Sequence, residues 1–202
     1  MGFSVELQVD QVAGESIRFL RGALMARGIR GLNMEYEYHP HVTLGYLEGE
    51  PSGAAYDVVR SLAPRIGEVS FAIGSVGVFP GDKTSVVFLS PVPSQELLEA
   101  HALAHGMMES TLGAMGSHYQ KGQWVPHMTL GEKVPNGDVP LIVSSVREIQ
   151  AKGFPSRGVF DKLVLATDRP MLVVPMSVER FPSLEGEFSR DVARSRVAER
   201  GR

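Results

Sequence analysis

Pro40-His41-Val42-Thr43-Leu44-Gly45 and Pro126-His127-Met128-Thr129-Leu130-Gly131 are the same six residues with one change, Val42 against Met128. An aromatic residue stands ahead of each copy, Tyr38 in the first and Trp124 in the second, and turn chemistry follows each, Pro51-Ser52-Gly53 and Pro135-Asn136-Gly137. Repetition at this level of detail makes the chain read as two related halves, each built around one copy.

Working outward from the copies, Phe3, Val5, Leu7 and Val9 alternate with Ser4, Glu6, Gln8 and Asp10, the pattern of a half-buried strand. Asp10 is placed to cap a helix running to about Arg27, with Ile17, Leu20 and Leu24 at helical spacing and Gly28 as its stop. Residues 33–38 are a possible short strand, and the first motif strand extends to about Leu47. Ser52 caps a second helix with Ala55, Tyr56, Val59, Leu62 and Ala63 inward. A strand follows through Val69, Phe71 and Ile73, and its apolar phase shifts at Gly74-Ser75, the mark of a bulge or a change of partner. After a turn at Phe79-Pro80-Gly81-Asp82 the order repeats. A strand at Ser85–Pro91 leads to a helix from Ser94 to about Leu112, and a glycine-bearing loop leads to the second motif strand. A helix then opens at Asp138 and Pro140 and is closed by Gly153. Strands at Phe160–Thr167 and Met171–Phe181 finish the domain, expected to span 1–182, and the arginine-rich stretch 183–202 reads as a flexible tail. The fold class is α+β, with two similar lobes.

Composition narrows the function. A chain of 202 residues that is 43% hydrophobic and 21% charged is an ordinary globular protein. A net charge of −3 argues against binding along an extended nucleic-acid backbone, while a small anionic substrate needs only a few local groups. The absence of cysteine removes thiolate nucleophiles, thiolate metal sites and disulfides. The first residues lack a signal-peptide pattern, Glu6 breaks the myristoylation pattern, and no apolar run approaches a membrane span of ~20 residues. A cytoplasmic protein without membrane contact is expected, with a monomer as the default state.

In a strand, residues two apart share a face. His41, Thr43 and Gly45 therefore point one way, and His127, Thr129, Gly131 and Lys133 do the same in the second copy. Each motif presents an imidazole and a hydroxyl together, with the glycine leaving room beside them. Two such strands across a pseudo-twofold axis would put two imidazoles on one pocket, which suits phosphodiester cleavage. One histidine takes a proton from the attacking oxygen and the other gives one to the leaving oxygen. The threonines can donate hydrogen bonds to phosphate oxygens, and Lys133 is a further candidate contact. No metal or cofactor is required.

Other histidines fit this scheme less well. His39 lacks a counterpart in the second copy, where Val125 stands, and reads as peripheral. His101 and His105 have a helical spacing that can bind metal, but Ala102 replaces the expected glutamate, and packing is the better reading. Ser4, Glu6 and Gln8 either line the cleft or form a plain solvent-facing edge, and Lys83 reads as a surface lysine.

A pair of His-x-Thr-Leu motifs in this element order, with the Phe79-Pro80 turn and the Trp124-x-Pro126-His127 lead-in, resembles the 2H phosphoesterase superfamily, in its 2′-5′ RNA ligase-like and cyclic phosphodiesterase branch. The resemblance covers roughly residues 3 to 182. It implies two pseudo-symmetric antiparallel sheets backed by helices with an active cleft between the lobes, His41 and His127 as acid and base, and Thr43 and Thr129 on the phosphate. It also implies a nucleotide or RNA end carrying a 2′,3′-cyclic or 2′-5′ phosphodiester as substrate. A binding module without turnover and reversible 2′-5′ RNA ligation are the alternatives.

Overall fold

Alternating apolar residues make β1 (Gly2–Val9), but it is no edge strand: β2 (His41–Glu48) and β6 (Arg157–Ala166) flank it, and Glu6 and Gln8 are buried. The computed structural model describes residues 2–33, 39–151 and 156–176. Between these strands come α1 (Gln11–Met25), α2 (Gly53–Ile66), β3 (Val69–Phe79), β4 (Thr84–Pro91), α3 (Gln95–Leu112), β5 (Met128–Pro135) and α4 (Val139–Ala151), and β7 (Pro170–Pro175) follows β6. The readings of Tyr38, of a short strand over 33–38, of Gly153, of strand beyond 176 and of the 183–202 tail lie outside the described residues.

The seven strands pair antiparallel in the order β2-β1-β6-β3-β4-β5, with β7 on β6. The fold is α+β, and its two lobes are joined rather than separate. Val69–Ala72 of β3 pair with β6, whereas Ile73–Phe79 pair with β4, with a register shift between Ile73 and Ser75. The phase change at Gly74 is therefore both a bulge and an exchange of partner. β2 and β5, the two motif strands, stand at opposite ends of the strand order.

The duplication extends to the register. Leu7, Glu6 and Val5 face Val42, Thr43 and Gly45, so Leu44 is an extra residue on β2. Leu89, Phe88 and Val87 face Met128, Thr129 and Gly131, so Leu130 is the matching extra residue on β5. A bulge at each motif leucine reverses the side-chain phase after the threonine. This corrects the expectation for the glycines. A methyl on Gly45 would meet Met108 and Met115, and one on Gly131 would meet the Gly31 carbonyl, so the space beside each glycine is filled by packing rather than left to substrate.

Loops from each half cover the free edge of the other half's motif strand. After α1, Gly28 turns the chain at φ 83°, Leu32 forms a bridge with Gly131, and the Asn33 N–H donates to Leu130 O at 2.9 Å. After α3, the Gly116 N–H donates to Tyr46 O at 3.1 Å. Otherwise bare ladder groups are paired in this way, and β2 and β5 are drawn together despite their distance in the sheet.

Two of the helix starts carry the side-chain caps read in the sequence, whereas Ser52 stands at the start of α2 without a side-chain cap bond. The Ser94 hydroxyl accepts from Leu97 N, and the Asp10 carboxylate accepts from Ala13 N at 2.9 Å and Val159 N at 2.7 Å. Burial works against ionisation of Asp10, but the N–H donors of Ala13, Val159 and Val12 outweigh it and hold the carboxyl below its ordinary value. Asp10 thus stabilises the fold above the ordinary carboxyl pKa near 3.8 and loses that contribution as pH falls through its lower folded value. Asp10→Ala should cost about 1–2 kcal/mol at neutral pH, measured by urea denaturation, with the deficit shrinking in strong acid.

The core runs from Leu7, Val42 and Leu44 beneath α1 and α3 to Leu89, Met128 and Leu130. Each fully buried leucine contributes roughly 1.5–3 kcal/mol of burial. Among the described residues no helix is long and apolar enough to cross a membrane.

Candidate active site

β2 begins at His41 and β5 immediately after His127, so each imidazole sits at a strand start, where the backbone two residues earlier is still free to accept. His41 Nδ1 lies 2.8 Å from His39 O, and His127 Nδ1 lies 2.7 Å from Val125 O. A carbonyl oxygen only accepts, so each Nδ1 carries the hydrogen and Nε2 is the nitrogen left for proton exchange. Both rings are fixed by the same local device.

His41, Thr43, His127 and Thr129 all line one cleft of about 630 Å³. The sequence motifs therefore converge, although 86 positions separate the histidines (127 minus 41). Lys133 is not among the lining residues. The bulge at Leu130 and a second register shift between Ser85 and Val87 turn Lys133 away, and Glu132 faces the cleft instead. Glu6, Asn33, Tyr119, Thr167 and Asp168 complete most of the wall. Among the described lining residues there is no lysine or arginine, so hydroxyls, imidazoles and the Asn33 amide are the side-chain donors a phosphate would meet.

Neighbours of the two histidines differ. Glu6 Oε1 lies 3.5 Å from His41 Nε2, and the Ser4 hydroxyl donates to that same oxygen at 2.6 Å. His127 instead packs against rings, with Phe79 edge-on at 5.0 Å and Phe88 at 5.3 Å between centroids. Burial lowers the pKa of His127 from its ordinary value, the Val125 carbonyl opposes this, and the charge of His41 adds to the lowering. Tyr119 moves the other way: burial, then the negative charges of Glu6 and Tyr46, raise it, so its hydroxyl remains a donor at neutral pH.

The threonine backbones are held from behind by a matched pair of contacts. Trp124 Nε1–H donates to Thr43 O at 2.9 Å, and the Arg21 guanidinium donates to Thr129 O at 2.6 Å. Trp124 also stacks flat on His101, with centroids 4.0 Å apart and planes 6° apart. His101 in turn bonds Tyr119 O, and His105 bonds Gln120, so this helical histidine pair packs under the Ser117–Tyr119 turn that carries Tyr119 to the cleft. His39 is exposed beside a neighbouring groove with Arg18 and Lys162. Trp124→Phe keeps the stack but removes the donor to Thr43, and should cost about 1 kcal/mol in urea denaturation; an unchanged midpoint would show that this bond contributes nothing.

Several wall residues escape sequence reading. Glu132 depends on the bulge, and Tyr119 and Asp168 come from turns. Arg21 carries a faint signal, because it lies four residues after Ile17 on the inward stripe, where a charged residue is unusual.

A second cavity of about 490 Å³ opens on the His127 side, sharing Tyr119, His127, Thr129 and Glu132 with the first and walled by Phe79, Trp124 and Val125.

Comparison with known proteins agrees with this fold. The fold is similar to that of TT0787 of Thermus thermophilus, at 15% identity and TM-score 0.55, covering 88% of this chain and 96% of that one. It is also similar to Kluyveromyces marxianus Usb1 solved with uridine monophosphate, at 12% identity and TM-score 0.50, covering 88% and 97%. E. coli LigT complexed with NADP+ matches at 14% identity and TM-score 0.52, covering 86% and 96%. A search of curated protein sequences finds no significant match. The profile of the 2′-5′ RNA ligase superfamily matches residues 53–169, which include the second motif and more than half of the 202 residues. The chain belongs to the 2′-5′ RNA ligase superfamily, the 2H phosphoesterase group.

Proposed function

We propose that the protein is a metal-independent phosphodiesterase that hydrolyses a 2′,3′-cyclic or 2′-5′ phosphodiester at a nucleotide or RNA end, with His41 and His127 exchanging the two protons. The observation that carries this reading is the convergence of two imidazoles, each with Nδ1–H tied to a backbone carbonyl, on one cleft that also holds Thr43 and Thr129. One Nε2 accepts the proton of the attacking water, and the other donates to the leaving ribose oxygen. General acid and general base each contribute ~10²–10⁴-fold. The threonine hydroxyls, on strands fixed by Trp124 and Arg21, donate to the non-bridging oxygens. Lys133 has no part in this scheme.

Size and charge favour a small ligand. The cleft of about 630 Å³ suits a mononucleotide or a terminal dinucleotide, and nucleotides occupy relatives of this fold, uridine monophosphate in Usb1 and 3′-AMP in LigT. The absence of lysine and arginine from the described lining, with a net charge of −3, disfavours a long RNA track.

The test is incubation in chelator with 2′,3′-cyclic mononucleotides, a short RNA ending in a cyclic phosphate and a 2′-5′ dinucleotide. Products are resolved as 2′- or 3′-phosphates, with His41→Ala alongside. Turnover that survives the chelator and disappears in the variant is expected. Nucleotide binding without turnover of any substrate would move the assignment to a binding module, and joining of RNA ends to a 2′-5′ linkage would move it to ligation.

A further inference from the structure

From Val42 to Gly45 and from Met128 to Gly131 the register of the two lobes matches residue for residue, and this makes one mismatch informative. The residue opposite Thr43 is Glu6 on β1, and the residue opposite Thr129 is Phe88 on β4. The same position beside the two histidines therefore holds a carboxylate in one lobe and a phenyl ring in the other. Glu6 is 7% exposed and Phe88 4%, so neither is an incidental surface group.

We infer that Glu6 and Phe88 divide the labour of the two histidines: Glu6 pairs with protonated His41 and makes it the proton donor, while the aromatic wall around His127 makes it the proton acceptor. The inference rests on the two-histidine reading above and deepens it by assigning the roles. Glu6 is a positioning residue, held by the Ser4 hydroxyl with one oxygen 3.5 Å from His41 Nε2. A carboxylate at that distance favours the imidazolium. Among the described residues no carboxylate pairs with His127, whose ring contacts Phe79 and Phe88. Burial there lowers its pKa and so favours the neutral imidazole.

The step balances. Water loses a proton to His127 Nε2 as its oxygen bonds to phosphorus. The bond from phosphorus to the leaving ribose oxygen breaks, and that oxygen takes the proton from His41 Nε2. The product phosphate leaves with His41 neutral and His127 charged, and exchange with solvent restores the pair.

Other charged groups face the pair as well. Around the cleft these are Tyr119, Glu132 of β5 and Asp168 of the β6–β7 turn. His39, whose carbonyl lies 2.8 Å from His41 Nδ1, shares its groove with Arg18 of α1 and Lys162 of β6. Glu6 is the one described carboxylate within ion-pair distance of either catalytic candidate.

Two readouts on Glu6→Gln test the assignment. The pH profile of kcat/KM should be bell-shaped in the parent. Its acid limb belongs to His127 and lies below 6.5, and its alkaline limb belongs to His41. With the carboxylate 3.5 Å from His41 Nε2 removed, Glu6→Gln should move the alkaline limb toward acid and leave the acid limb in place. A purely structural role would lower the whole profile without moving one limb, and that result, or movement of the acid limb alone, overturns the proposal. Histidine-ring NMR titration of the free protein reads the same order without turnover, with His41 keeping its proton to higher pH than His127 and Glu6→Gln narrowing the gap. The reverse order sinks the assignment even if the protein is an active phosphodiesterase. If no substrate is turned over, the function reading fails while the titration still decides the pairing. Ser4→Ala, which removes the anchor and keeps the carboxylate, should give a smaller shift in the same direction and serves if Glu6→Gln does not fold.

Discussion

His127→Ala should slow turnover of the preferred phosphodiester by roughly 10²–10⁴-fold while leaving the fold intact. At 1.36 kcal/mol per factor of ten, that is about 3–5 kcal/mol of lost transition-state stabilisation. The ring sits in contact with Phe79 and Phe88, but its polar bond is a single donation to Val125 O at the surface of the strand start. The carbonyl left behind is near solvent, so the stability loss should be small beside the catalytic one. His41→Ala should lose a comparable factor, and the double variant should lose less than the product of the two, because the protons move in one coupled step. Initial rates on the substrate chosen by the chelator assay, with circular dichroism as the control for folding, provide the check. His127→Ala with nearly full turnover would end the two-histidine mechanism.

Gly31→Ala should destabilise the protein by about 2–5 kcal/mol and reduce activity together with stability. Gly31 has φ 74°, a conformation that costs an L-residue roughly 1–2 kcal/mol, and its added Cβ would collide with the Lys133 carbonyl. Overpacking against fixed backbone costs about 1–3 kcal/mol more. The collision would lift residues 29–33 from the edge of β5, where Leu32 bridges Gly131 and Asn33 bonds Leu130. Because Thr129 lies on that strand, the loss should reach the cleft. Urea denaturation together with kcat/KM separates the outcomes, and an unchanged midpoint would mean that the loop does not hold the strand. Gly113, whose φ is also positive, has open space where a Cβ would stand, so Gly113→Ala should cost only the conformational part.

What could be read from one dimension was whatever repeats or alternates. Leu7, Leu20, Leu62 and Met108 were placed in the core by period alone, because a strand or helix must bury one face. Asp10 and Ser94 marked helix starts because a short side-chain acceptor satisfies backbone donors that the helix leaves unpaired. The two His-x-Thr copies marked the candidate site and its pairing, since a duplicated strand motif implies a duplicated lobe. The α+β class followed from the same order of elements.

Tertiary structure decided what depends on register and on partners far along the chain. A bulge adds a residue to one strand without changing the residue types, so nothing local announces that Leu44 and Leu130 reverse the phase. Gly45 and Gly131 thereby turn from the cleft into packing, and Lys133 gives way to Glu132. Glu6 lay on a strand that could have been an edge, and only its place between β2 and β6 buries it beside His41. Arg21 and Trp124 reach the threonine carbonyls from 108 and 81 positions away. Periodicity reports which face of an element is apolar. Which element that face meets, and which charge stands opposite a given imidazole, is set by the sum of contacts across the whole fold.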